Sequence, residues 1–359
     1  MFDKIGIAVF IGIFMLLSSV CVGDCESQSD ILKNELKKCV SSGKILFGQE
    51  DALMYGRNWL PGTDDFRPVR SDVGDVCGRH PKVLGLDLGG IESGDSCNLD
   101  NVSFENMAKA AISHYENGGV VTFSWHLSNP ETDGDSWDVS GDSVVASILP
   151  GGENHVKFTS WLSCAVDFLS SLKSSDGKSV PVILRFWHEH TGNWFWWGDD
   201  HCTVEEYVGL WRMTVDYFVK ERGMDNILWA YSPNSGVDKA GYMKKYPGDE
   251  FVDILGLDSY QFDRQAFASE LSTTLSYMSE LGTDHGKMIA LTEIGYEGVP
   301  DAEWWTKILY PVIESSGVAY VMVWRNAYKK DNHFYGPYPG AVSEENFRNF
   351  AASEKIVLR

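Results

Sequence analysis

The chain has 359 residues, 43% of them hydrophobic and 13% aromatic, and a formal net charge of −21; that is ample apolar material for one large core. A surface this acidic repels phosphate backbones and anionic headgroups, so nucleic acid and anionic lipid are excluded as partners, while a neutral polymer is compatible with it. The 13 Trp residues point the same way, because an indole offers a flat face to a sugar ring and an N–H to a hydroxyl, although about half of them are assigned to core packing.

In chain order, Lys4 precedes an apolar run from Ile5 to Leu17, and Ser18 to Gly23 are small or weakly apolar. The run is short for a membrane span and has the form of a signal-peptide core, so residues 1–23 are expected to be an export signal and residues 24–359 one folded domain. Lipidation at Cys21 stays open, although Val20 departs from the small residue usual before it, and so does a retained anchor. The expected location is secreted, periplasmic or cell-surface. Without Cys21 six cysteines remain, an even number that permits disulfides without showing them; no CxxC spacing occurs, which argues against a structural zinc site.

Eight short apolar runs follow: Lys44–Glu50, Val83–Gly90, Val120–His126, Val180–Glu189, Asn226–Pro233, Asp253–Gln261, Met288–Gly295 and Ala319–Asn326. Most are near-continuously apolar, as strands buried on both faces are. Helical periodicity fills Phe104–Asn117, Lys157–Leu172, Val204–Arg222, Phe267–Leu281 and Glu303–Ser316; the connections after the first and fifth strands read less clearly. No repeat, linker or hinge interrupts this beat. The expected fold is therefore a single-domain (β/α)8 TIM barrel with its site at the C-terminal strand ends. A doubly wound sheet would carry a Gly-rich phosphate loop after its first strand, where this chain has Phe47-Gly48-Gln49-Glu50-Asp51.

Those strand ends are repeatedly polar and aromatic: Asp87-Leu88-Gly89, Ser124-Trp125-His126, Arg185-Phe186-Trp187-His188-Glu189, Asp258-Ser259-Tyr260, Thr292-Glu293 and Trp324-Arg325-Asn326. Glu189 and Glu293 end the fourth and seventh strands, which face each other across a barrel mouth. A retaining glycosidase needs two carboxyl groups about 5–5.5 Å apart, one a protonated acid and the other an ionised nucleophile. The rings of Trp187, Trp194, Phe195, Trp196 and Trp197 around Glu189 predict a desolvated carboxyl with a raised pKa. Glu293 is expected to be kept ionised by His188, Arg325 or Tyr260. His188 and His190 form an HxH pair with His126 nearby, but the first strand lacks His, so hydrogen bonding to sugar hydroxyls is preferred to a metal site and no metal is assigned. The segment Asp133–Asp138 has the composition of a calcium loop without its final Glu and is read as a solvated loop at the cleft rim.

The run His188-Glu189-His190-Thr191-Gly192-Asn193-Trp194-Phe195-Trp196-Trp197-Gly198 resembles the acid/base signature of glycoside hydrolase family 26. The resemblance extends from about Ile45 onward through Phe47-Gly48-Gln49, Ser124-Trp125-His126 with Asn129-Pro130, Asp258-Ser259-Tyr260, Thr292-Glu293 and Trp324-Arg325-Asn326. It implies a retaining endo-β-1,4-mannanase acting on mannan, glucomannan or galactomannan, with Glu189 as acid/base and Glu293 as nucleophile. His188 matches the histidine before the acid/base; Trp194, Tyr260 and Trp324 match aromatic sugar-binding positions; Asp258 and Arg325 match polar contacts; His126 matches a substrate-contacting histidine. Phe186 stands where the family often has Pro, and His190 where it often has Met, the latter variant resembling Bacteroidales-type mannanases. No cofactor is implied, and a monomer is expected. A β-1,3-1,4-glucanase or β-1,3-xylanase of the same family, and a non-catalytic glycan-binding barrel, are the alternatives.

Overall fold

The computed structural model describes residues 26–62, 66–262 and 265–359; the expected export segment, with Cys21, lies outside them. Eight parallel strands form a closed barrel: β1 (Ile45–Glu50), β2 (Val83–Asp87), β3 (Val120–Ser124), β4 (Val182–Arg185), β5 (Ile227–Tyr231), β6 (Ile254–Tyr260), β7 (Met288–Gly295) and β8 (Val318–Val323). Each pairs with the next, and β8 returns to β1 with Leu46 opposite Tyr320. This closure excludes an open doubly wound sheet. A two-residue β9 (Ile356–Val357) pairs with the start of β1.

The helices are α1 (Gln28–Ser41), α2 (Asp72–Cys77), α3 (Phe104–Glu116), α4 (Val144–Ile148), α5 (His155–Ser171), α6 (Val204–Asp216), α7 (Lys239–Met243), α8 (Phe267–His285), α9 (Tyr310–Ile313) and α10 (Glu344–Ala351). Helix α6 shows why they form. Thr203 and Glu206 make a reciprocal capping box at its start, and Tyr207, Leu210, Trp211, Thr214 and Val215 bury one stripe against the barrel. The helix expected over Val204–Arg222 ends earlier, continuing as a π-helical turn over Tyr217–Glu221. The one expected over Glu303–Ser316 divides into a π-helical turn, Trp304–Leu309, and the short α9.

Alternation along the strands builds two cores. Outward residues such as Phe47, Leu84, Leu86, Val121 and Leu184 meet the helices in one large cluster. Inward residues Leu46, Val83, Val120, Ile183, Leu228, Ile254 and Met288 fill the lower barrel, which Leu32 and Leu36 of α1 cover at the N-terminal end. Above them the inward positions become small, then polar. At Gly48 an added Cβ would sit 2.7 Å from the Val83 Cβ and 3.0 Å from its carbonyl oxygen, so only hydrogen fits there.

The disulfides that the cysteine count permits do not form among the described residues: Cys39, Cys77, Cys97, Cys164 and Cys202 are all free. They are carried by α1, α2, a loop, α5 and the approach to α6. Of the 13 Trp residues, more than the expected half are core: Trp125, Trp161, Trp187, Trp196, Trp197, Trp211, Trp229, Trp304 and Trp305 are buried.

Substituting Gly48→Ala overpacks the β1–β2 contact and is expected to cost about 1–3 kcal/mol, read as a lower Tm in thermal unfolding.

Candidate active site

β4 ends earlier than its apolar run implies and the residues just beyond it enter the cleft, whereas β6 and β7 carry Asp258, Tyr260 and Glu293 within their own lengths. β4 stops at Arg185. Two positions farther on, Trp187 (φ 53°) and then Glu189 (φ 54°) adopt left-handed backbone, a conformation that costs roughly 1–2 kcal/mol for a residue with a Cβ. The surroundings hold it. The Glu189 N–H donates to the Ser232 carbonyl at 2.8 Å, the Tyr207 hydroxyl to the Trp187 carbonyl at 2.8 Å, and the Trp197 indole to the His188 carbonyl at 2.8 Å.

Glu293 reaches the same cleft by a different local device. Strictly alternating side chains on β7 would place Thr292 inside and Glu293 outside. The β6–β7 register slips between Leu257 and Asp258, so that Leu257 faces Leu291 but Asp258 faces Glu293. The extra residue turns Glu293 inward beside Asp258. The Thr292 hydroxyl seals the irregularity by donating to Asp258 Oδ1 at 2.7 Å.

Arg185, buried at 1% exposure, binds both acidic neighbours. Its Nη1 donates to Asp258 Oδ2 at 2.8 Å, and its Nη2 donates to Glu293 Oε1. The Tyr260 hydroxyl donates to the other Glu293 oxygen. Glu293 thus accepts from a cation and a phenol. Of the three partners expected for it, only Tyr260 serves. Arg325 is drawn away to Asp100 (2.7 Å) and to the Tyr55 hydroxyl (3.1 Å). His188 is held neutral, its pKa driven well below the usual value by burial and then by Arg185.

Glu189 has the opposite environment. Its carboxylate oxygen accepts from the Trp194 indole at 2.8 Å. Burial, and after it the charge of Glu293, push its pKa up to about 7. Both carboxylates line one cavity of 610 Å³ with His126, His188, Trp194, Asp258, Tyr260 and Trp324. Every expected site residue except Arg325 is therefore brought together; Arg325 lines a neighbouring cavity of 580 Å³ with Tyr55 and Asp100.

His126 is anchored from below. Its Nδ1 lies 2.8 Å from Asp87 Oδ2, and Asp87 also accepts from Ser124 Oγ at 2.6 Å and the Gly89 N–H at 2.8 Å. Burial opposes both charges. The pairing wins, lowering Asp87 to about 2 and raising His126. The His126 ring stacks on Trp137 at 5.2 Å and meets His188 edge-on at 4.8 Å. The loop read as a solvated rim thus carries Trp137 over the cleft, secured by Asn129 donating to the Asp138 and Ser140 carbonyls. The HxH pair diverges: His188 lines the cleft, while His190 is buried between the Tyr207 and Tyr231 hydroxyls at 2.9 and 3.0 Å. No group of three or more His, Cys, Asp or Glu placed to hold a metal occurs among the described residues.

Arg185, Asp87, Trp137 and Tyr335, the last a further lining residue of the cavity, are site residues beyond those expected. Arg185 had a legible signal, a charge inside the apolar run of β4. Trp137 and Tyr335 lie in loops without periodicity.

The profile of glycosyl hydrolase family 26 matches residues 34–331. A mannan endo-1,4-beta-mannosidase of Bifidobacterium adolescentis is 32% identical over 92% of this chain and 34% of its own length. One of Bacillus subtilis is 32% identical over 66% of this chain and 56% of its own. The chain thus spans between a third and rather more than half of these curated relatives. The solved structure of a GH26 beta-mannanase from Bacteroides ovatus superposes with a TM-score of 0.88 at 48% identity, covering 92% of this chain and 94% of that one.

Because folding lifts the Glu189 pKa, the carboxyl gives up stability as pH rises from the unfolded value near 4.5 through about 7. Glu189→Gln cannot ionise. Its Tm is expected to exceed that of the unaltered protein by a margin that is small at pH 4.5 and grows to pH 8, as differential scanning calorimetry across that range will measure.

Proposed function

The chain belongs to glycosyl hydrolase family 26, and from that premise we propose that it is a retaining mannan endo-1,4-β-mannosidase, with Glu189 as general acid/base and Glu293 as nucleophile. One observation carries the reading: two glutamates face a single cavity in opposite electrostatic settings. A carboxyl lifted to about 7 holds a proton at neutral pH, and one bound to a guanidinium and a phenol presents an ionised oxygen. Those are the two states that double displacement requires.

In this reading Glu293 attacks the anomeric carbon while Glu189 protonates the departing glycosidic oxygen. A covalent glycosyl-enzyme forms and the leaving sugar departs as an alcohol. Glu189, now a carboxylate, takes a proton from water, whose oxygen attacks the same carbon and releases Glu293. Tyr260 and Arg185 hold the nucleophile before attack and receive the carboxylate back afterwards. Trp137, Trp194 and Trp324 supply stacking faces for successive sugars, and the neutral His188 and the Asp87-bound His126 offer hydrogen bonds to hydroxyls. Mannan as the substrate rests on the relatives named above. Export of the chain through residues 1–23 belongs to the same proposal, supported by Lys4 and its apolar run, and suits a polymer substrate met outside the cell.

The test is a comparison of substrates. Glu189→Gln is expected to lower kcat/KM on mannan by about 10²–10⁴-fold and on 2,4-dinitrophenyl β-mannobioside far less, since dinitrophenolate leaves unprotonated. In the unaltered enzyme kcat/KM on mannan falls as pH rises through about 7, where Glu189 loses its proton. Glu293→Ala should abolish turnover on both substrates. A first-formed product of inverted anomeric configuration, seen by NMR, rules out Glu293 as nucleophile; faster release of reducing ends from lichenan or β-1,3-xylan than from galactomannan rules out mannan as the preferred substrate.

A further inference from the structure

Lys245 follows α7 in the β5–β6 connection, yet it is only 2% exposed. An ammonium has three protons to place, and all of its nearest acceptors belong to the segment that follows Glu189. Its Nζ lies 2.8 Å from Asp199 Oδ1, 3.4 Å from the His190 carbonyl oxygen and 3.9 Å from Cys202 Sγ. The charge also stands 5.2 Å from the centre of the Tyr207 ring, the same Tyr207 whose hydroxyl holds the Trp187 carbonyl. Burying an ammonium is costly unless it is paired, so this cation presses on the one segment that supplies its partners.

From Asp199 the connection runs to the proton donor. The Asp199 N–H donates to the Gly192 carbonyl at 2.7 Å, and the Gly192 N–H donates to the Glu189 carbonyl at 2.9 Å. Gly192 is the seat of Trp194: a Cβ added there would lie 2.3 Å from the indole ring. Trp194 is 39% exposed, so packing alone does not hold it, and its N–H is the hydrogen bond that Glu189 receives. We propose that Lys245 is a positioning residue for proton donation: through Asp199 and Gly192 it seats Trp194 and so aims the Glu189 carboxyl at the glycosidic oxygen. Lys245 touches neither the cavity nor a reacting atom. The inference rests on Glu189 being the acid.

Loss of this seat leaves the nucleophile half of the site, built on β4, β6 and β7, in place. Asp199→Asn keeps the side-chain shape and removes the charge; Lys245→Met keeps the length and removes the cation. Both are expected to lower kcat/KM on mannan by about 10-fold or more, within the roughly 10²-fold that a displacement of about 1 Å can cost, and to change kcat/KM on 2,4-dinitrophenyl β-mannobioside by less than about 3-fold. The alkaline limb of the mannan profile should move to higher pH, because losing the indole hydrogen bond lifts the Glu189 pKa further. The double variant should cost no more than Lys245→Met alone. Should Lys245→Met not fold, Asp199→Asn carries the same readouts. Equal losses on both substrates with an unmoved limb, or full mannan turnover in both variants, overturn the proposal. Glu189→Gln run alongside separates the two readings: if it discriminates between the substrates and these variants do not, only the role of Lys245 fails.

Discussion

A single guanidinium buried in the mouth of the barrel organises this protein. Arg185 cannot be left unpaired there, and its two ends take up Asp258 and Glu293 from the neighbouring strands β6 and β7. That requirement accounts for several features at once. The β6–β7 register slips by one residue so that both carboxylates face the cation. Thr292 and Ser232 turn their hydroxyls toward Asp258. Glu293, gripped by Arg185 and Tyr260, has its oxygens fixed in place.

The same constraint defines Glu189 by exclusion. Arg185 hydrogen-bonds to the carboxylates of β6 and β7, and the carboxyl emerging beyond β4 accepts an indole N–H among aromatic rings, with Arg185 and His126 acting on it only at a distance. Burial and the charge across the cleft then keep its proton on near neutrality. Two identical side chains sit in different settings because the cation bonds directly to only one of them. Left-handed backbone at Trp187 and Glu189 is the local cost of aiming the second carboxyl into the cavity, and the hydrogen bonds that brace it come from Ser232 just after β5, from α6 and from the aromatic segment that follows Glu189.

Charge is arranged with similar economy at the cleft floor and rim. His126 is paired with Asp87 and stacked under Trp137, which couples the floor of the cleft to a loop that otherwise holds itself together through Asn129. Arg325, drawn to Asp100 and Tyr55, shapes a second cavity beside the first instead of serving the nucleophile.

Much of this was legible from residue order alone. Eight apolar runs with helical periodicity between them identify the barrel because burial on both faces demands near-continuous apolar strands, and all eight are observed. Glu189 and Glu293 could be named because each stands at the polar, aromatic end of an apolar run, where a barrel of this kind places its site. Helix ends were less legible: π-helical turns at Tyr217–Glu221 and Trp304–Leu309 depend on how each helix packs, not on its own pattern. Only the tertiary structure decided which cation meets Glu293, since Arg185 and Arg325 both stand at strand ends and differ in what lies across the barrel from them. It alone decided that Glu293 points inward, because a one-residue slip between two strands leaves no mark on either strand's composition. Local pattern records what each segment must bury; pairing across the barrel determines which groups then meet.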